Sequence, residues 1–219
     1  MSAKLWAEIG MGIYETIYRT LASTLLGYVI GLPLGVVLII TRKGGIRENA
    51  ALNQVLGVIV NILRSIPFLI LMIAIIPFTR FVMGKSYGST ATIVPLTVAA
   101  FPFISRMVES SLSEVDGGVI EAAQAMGATP LQIIRKVYIP EATPSLISGA
   151  AIVATNILGY SAMAGSVGGG GLGAIAINYG YYRFNAQVMV VCIAIMVVLV
   201  QAVQLVGTRL SVKLDHRLR

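Results

Sequence analysis

The sequence predicts an all-α integral membrane protein with five transmembrane helices. Two observations carry this. Apolar residues make up 57% of the 219 positions and charged residues only 11%, against about 45–50% and 25% in an ordinary soluble domain. The apolar residues also gather into long, nearly charge-free runs, each close to the roughly 20 residues a helix needs to cross a bilayer. Mean hydropathy is +0.86. A water-soluble enzyme, a disordered chain and a nucleic-acid module are thereby excluded. The net charge of +7 belongs with membrane orientation rather than with nucleic acid. The length suits a single unit, 1–219.

The first span is expected at 21–40, which holds no charge. It is longer than a signal-peptide core, and Arg42, Lys43 and Arg47 follow it where a cleavage site would need small residues. The second is expected at 55–79, interrupted by Arg64, and the third at 88–105. The uncharged stretch 142–182 is too long for one crossing. Six of its glycines fall within 165–173, where they would make a poor helix. It reads as a span at 145–164 followed by an irregular glycine-rich loop. The fifth span is expected at 186–208.

Basic residues collect in cytoplasmic loops. Arg42, Lys43, Arg47, Arg106, Arg135, Lys136, Arg209, Lys213, Arg217 and Arg219 fall on one side. Lys4, Arg80, Lys85 and Arg183 fall on the other. This predicts an outside amino terminus and a cytoplasmic carboxyl terminus. Arg19 and Arg64 lie at or inside spans. Pro33, Pro67, Pro77, Pro95 and Pro102 interrupt spans one to three, and broken helices at membrane depth need a protein or aqueous neighbour. Gly27, Gly31 and Gly35 share one helical face and allow close helix approach, reading first as packing within the chain. Cys192 lies in an apolar run and reads as a small buried hydrophobe. With one cysteine and one histidine, His216, a disulfide framework, a metal centre and a histidine-based triad have no raw material.

The long polar segment inside is 106–141. Asp116 can cap a short helix over 119–126, and Gly127 can end it in a left-handed conformation. Thr129, Pro130 and Gln132 then read as N-cap, first position and third position of a capping box. Pro140 and Pro144 are expected to stop that second helix before span four. The product is a bent knob, an elbow. Ile120, Met126 and Leu131 could sit in a partner's groove while Glu121 and Arg135 fix the register. A self-packed hairpin fits the spacing equally well. The chain contains no GxxxxGK[ST] phosphate loop, so any energy source must act from another subunit.

Glu121-Ala122-Ala123, three residues, Gly127, nine residues and Val137-Tyr138-Ile139-Pro140 resemble the EAA motif of binding-protein-dependent ABC importer permeases. Val137 and Ile139 are mild apolar swaps. Within that group, 61–68 (NILRSIPF), 76–80 (IPFTR), 93–97 (IVPLT), 127–130 (GATP), 159–163 (GYSAM) and the 168–173 glycines are similar to methionine importer permeases. Departures fall at Ala164 and Ser166. The resemblance implies a subunit of the bacterial inner membrane that works as a pair. Its implied partners are two ATPase subunits and an external methionine-binding protein. It implies no cofactor in this chain, ATP and Mg being held by the ATPase partner. It makes the elbow a coupling helix with Glu121, Ala122, Ala123 and Gly127 as its core and no catalytic residue here; with Met126, Leu131 and Arg135, read above from the elbow itself, these are the residues expected to engage the ATPase.

The residues add candidates of their own. Met163, at the outer end of span four, reads as a gate or as ordinary gap filling. The loop 165–173 reads as a flexible linker or as a platform for the binding protein. Arg64 costs at least about 2.5 kcal/mol near mid-span; it reads as a partner of carbonyls freed near Pro67 or as a substrate contact. Asn156 and Tyr160, four apart, share a helical face and line the path or bond between helices. An importer for other small amino acids, short peptides or osmoprotectants is the near alternative. An autonomous channel or ion-driven carrier is the distant one, although such carriers keep acidic residues within their spans.

Overall fold

A computed structural model describes residues 2–214; His216, Arg217 and Arg219 of the basic tail lie outside the described residues. No β-strand occurs among them. Among the described residues, four helices are long and apolar enough to cross a membrane, and a fifth crossing results if one sharply bent pair counts as a span.

Helix α1 runs Ala3–Thr41, starting far before the expected 21. The Ser2 side chain caps it by accepting from the Leu5 N–H. Apolar periodicity continues back through Ile9 and Ile13, which pack against Leu172, Ala176 and Val188; that packing holds the helix outside its charge-free part. Helix α2 is Ala50–Ser65, capped by Asn49. The second span then breaks. Pro67 bars Ile66 from helical geometry, and Ile66 sits extended at φ −79°, ψ 122°. Helix α3, Phe68–Ala74, leaves at 100° to α2. Helix α4, Ile76–Met83, follows and ends on Gly84 in the left-handed region.

Helix α5, Ile93–Ser113, packs along α1. A Cβ on Gly31 would lie 2.7 Å from Ile104 Cγ2, and one on Gly35 would lie 2.6 Å from the Ser105 carbonyl oxygen. The glycine stripe therefore serves packing within the chain. Arg106 ties α5 to α2, donating to the Gly57 carbonyl at 3.0 Å and to Asn61 Oδ1 at 3.2 Å, with Glu109 paired at 2.7 Å.

Helices α6, Gly117–Ala125, and α7, Pro130–Ile133, form the elbow. Pro140 and Pro144 do not stop the chain there. A single π-type turn at Ile134–Tyr138 widens the helix, and α8 continues over Ile139–Ala164. A proline ring clashes with the carbonyl four residues back; for Pro140 that carbonyl belongs to Lys136, inside the widened turn. The helical path runs from Pro130 to Val167, about 57 Å at 1.5 Å per residue. Helix α10, Ala186–Leu214, packs against α8 through Gly207 and a Ser148–Ser211 hydrogen bond of 2.8 Å. Much of α10 is apolar and exposed, as suits a lipid-facing helix. Cys192 is buried.

The glycine-rich stretch is an ordered turn, with Gly165, Gly169, Gly171, Leu172 and Gly173 buried and Ser166 and Gly168 exposed. After one 3-10 turn, Gly168, Gly170 and Gly171 take positive φ, and helix α9 (Gly171–Ile175) leads into a π-type turn through Tyr181. Arg19, fully buried on α1, grips this turn. Its Nε donates to Ser161 Oγ at 2.6 Å, and its Nη2 to the Ser161 and Gly170 carbonyls at 2.9 and 3.0 Å. Its Nη1 donates to the Gly169 carbonyl. Glu15 accepts from the Gly171 N–H at 2.7 Å, and Thr16 Oγ1 from the Leu172 N–H at 3.0 Å. Two turns back, Glu8 accepts from the Tyr179 hydroxyl at 2.7 Å; that carboxylate raises the Tyr179 phenol above its ordinary pKa.

Candidate functional site

Two features stand apart from the packed core: the elbow at one end and an uncovered face of α8 between its ends.

The elbow is built from local backbone chemistry. Asp116 accepts from the Gly118 N–H at 2.7 Å and starts α6. At its other end the Gly127 N–H bonds the Gln124 carbonyl at 2.9 Å and the Ala128 N–H bonds the Ala123 carbonyl at 3.1 Å. These two bonds are a Schellman cap, which needs a left-handed residue after the helix. Gly127 supplies it at φ +77°. The motif's third residue, Ala123, is buried beneath this cap and packs into the main core beside Ile133 and Tyr138. Helix α7 then starts with the Thr129–Gln132 capping box, both reciprocal bonds being made.

This cap geometry sorts the motif residues. Ala123 faces inward. Glu121, Ala122 and Arg135 are exposed, as are Met126 at 82% and Leu131 at 55%. Ile120 departs from expectation: it is half-buried against the core. A groove of about 370 Å³ lies in the bend, lined by Ala123, Met126, Gly127, Ala128, Gln132, Ile133, Lys136 and Val137. An exposed methionine beside an apolar groove is an adaptable contact surface.

On α8, Ile152, Asn156 and Met163 are exposed and half-buried Tyr160 continues their stripe. The Tyr160 ring stacks on Phe68 of α3, with centroids 4.7 Å apart and planes 7° from parallel. Phe68, Tyr160, Leu63, Arg64, Ile66, Leu71, Ala99 and Phe103 enclose a cavity of about 250 Å³ where α2 bends into α3. Arg64 does not bond the carbonyls near Pro67; its guanidinium lies over the Phe103 ring, 5.7 Å from the centroid. Met163 lies at 43% exposure and its carbonyl accepts from Ser166 Oγ.

Sequence reasoning placed Arg19 at a span but gave it no role, and passed over Glu15 and Thr16, which with it lock the glycine turn, and Phe103, which faces Arg64. The signal for the first group was an arginine, a threonine and a carboxylate within two turns of one helix, beside a charge-free run. Among the described residues no group of three or more His, Cys, Asp or Glu side chains could hold a metal.

An all-helical bundle with four or five apolar helices of membrane-crossing length among the described residues fits a membrane-embedded protein, and the sequence comparisons give its class. Residues 23–219 match the family described as binding-protein-dependent transport system inner membrane component, and the chain belongs to that family. Among its relatives, the probable D-methionine transport system permease protein MetI of Vibrio cholerae serotype O1 is 53% identical over 83% of this chain and 81% of its own length. The Pasteurella multocida protein of the same description is 47% identical over 99% and 100%. Among solved structures, the chain is similar to one from the inward-facing MetNI methionine ABC transporter, with TM-score 0.97 and 50% identity over 99% of this chain and 100% of that one.

Proposed function

We propose that this chain is the permease subunit of an ATP-driven importer for methionine, working as a pair with two ATPase subunits and an external methionine-binding protein. The observation that carries the reading is near-complete superposition, at half sequence identity, on a chain of a methionine transporter. The whole chain 1–219 forms one transmembrane unit. Its amino terminus lies outside and its elbow, 106–141, in the cytoplasm. ATP and Mg belong to the ATPase partner, and this chain performs no covalent chemistry.

The geometry supports a mechanical division of labour. Met126 and Leu131 present apolar surface to a groove of the ATPase, with Glu121 and Arg135 setting register at the edges. Ala122 permits close approach, and Ala123 and Gly127 hold the bend. The helical path from Pro130 to Val167 carries displacement of the elbow to the opposite end of the molecule. There Met163, facing its copy across the pair, closes the path on the side of the binding protein. Asn156, Tyr160 and Arg64 face that path. A ligand held equally by both permease states would shift nothing, so substrate is held weakly here and tightly by the binding protein.

Co-purification followed by reconstitution tests the reading. The tagged subunit should bring down an ABC ATPase. In proteoliposomes, methionine-loaded binding protein should stimulate ATP hydrolysis and drive methionine uptake. Uptake that proceeds with the ATPase absent would favour an autonomous carrier. Stimulation by another amino acid, a peptide or an osmoprotectant, but not by methionine, would reassign the substrate.

A further inference from the structure

Arg64 lies fourteen residues into α2, about 21 Å along its axis, at the lip of the cavity between the α2–α3 bend, α5 and α8. A guanidinium carries five N–H donors. None of them reaches an acceptor among the described residues; its one contact is the Phe103 ring face. Arg19, at the edge of the first span, by contrast makes four hydrogen bonds, to the Ser161 hydroxyl and to the Ser161, Gly169 and Gly170 carbonyls, so this chain can supply an arginine with acceptors when its role is structural. Arg64 is left with its fork unfilled, and a charged group within a span is expensive without a partner.

The surroundings describe that partner. The cavity holds about 250 Å³, room for about eight waters at roughly 30 Å³ each, the size class of a small amino acid. Leu63, Ile66, Leu71 and Ala99 make one wall aliphatic, and the stacked Phe68 and Tyr160 rings form another. A planar fork matches a carboxylate with two parallel hydrogen bonds, and aromatic edges suit a thioether. Tyr160 belongs to the exposed α8 stripe with Asn156, so the cavity adjoins the proposed path.

We propose that this cavity is a transient substrate subsite. Arg64 takes the α-carboxylate of an amino acid in passage, and the aliphatic and aromatic walls take its short apolar side chain. The proposal rests on the importer reading and names what that importer's path recognises: a free carboxylate next to an apolar side chain.

Cysteine protection tests it on the purified permease–ATPase complex without binding protein. The variant carries Leu63→Cys in a Cys192→Ser background. Millimolar methionine should slow labelling of that thiol at least about threefold, whereas methioninol, which lacks the carboxylate, should not. Adding Arg64→Gln should abolish protection and Arg64→Lys should restore part of it. Equal protection by methionine and methioninol, or protection surviving Arg64→Gln, overturns the subsite. So does absence of protection in a complex that still imports methionine with its binding protein. As a second measure, Ala99→Phe adds bulk to the cavity from the α5 side and leaves the Arg64 side chain itself in place. Methionine taken up per ATP hydrolysed should fall at least about tenfold, and a wild-type ratio would overturn the proposal. If wild-type complex imports no methionine, the importer reading fails on its own, separately from these comparisons.

Discussion

At the scale of single residues, two exposed or buried side chains make opposite demands. Arg19 is buried without a carboxylate on its fork; it is held by the Ser161 hydroxyl and by carbonyls of Ser161, Gly169 and Gly170. An unsatisfied buried acceptor costs about 1–3 kcal/mol, so Arg19→Met, which strands several, should destabilise the chain by about 3 kcal/mol or more. The measurement is the fraction remaining monodisperse after heating in detergent; a profile like wild type would mean the glycine turn holds itself. Met126 makes the reverse case. It is 82% exposed and its removal strands nothing, so Met126→Ala with Leu131→Ala should leave stability within about 0.5 kcal/mol. In the reconstituted complex, receptor-stimulated hydrolysis and uptake should nonetheless fall together at least about tenfold. Coupling that survives both truncations would mean the elbow is not the handle.

At the scale of elements, the most extensive helix contact is the crossing of α1 and α5. Gly35 meets the Ser105 carbonyl and Val108 where a Cβ would stand 2.6 Å from each. Backbone cannot step aside as a flexible side chain can, so Gly35→Val should cost about 1–3 kcal/mol or more and lower the yield of folded protein. Gly10→Val on the same helix, with open space around it, should be tolerated; equal behaviour of the two variants would contradict the packing. This stripe was legible in the sequence because four-residue glycine spacing is a local pattern. So were both elbow caps, since Asp116, Gly127, Thr129 and Gln132 act on their own neighbours. Long-range contacts were not legible. The start of α1 at Ala3 depends on Leu172 and Val188, far along the chain. The continuation past Pro140 depends on a π-type turn that no composition rule announces. The glycine stretch looked like a linker because its order comes from Arg19, Glu15 and Thr16 on another helix. The Arg64 cavity needed the 100° break at Pro67 to bring Phe68, Phe103 and Tyr160 around one guanidinium.

At the scale of the whole molecule, the charges and aromatics separate along the bundle axis and make orientation testable. Helix α1 spans 39 residues, about 58 Å, nearly twice the roughly 30 Å hydrocarbon thickness. Its charge-free part, 20–41, suffices to cross, so the segment bearing Lys4, Glu8 and Glu15 projects beyond the lipid at the end opposite the elbow. Trp6, Tyr14, Tyr87, Tyr181 and Tyr182 are exposed toward that end, consistent with an interfacial aromatic belt. The elbow end carries Arg42, Lys43, Arg47, Arg135, Lys136 and Lys213, the excess expected on a cytoplasmic face. Single cysteines placed at Gln124 on the elbow and at Phe184, which is 89% exposed, in a Cys192→Ser background should therefore react differently. A membrane-impermeant maleimide should label position 184 in spheroplasts and reach position 124 only after permeabilisation. The reverse pattern would turn the molecule over, place the elbow beyond the reach of any cytoplasmic ATPase, and remove the mechanical basis for import by this chain.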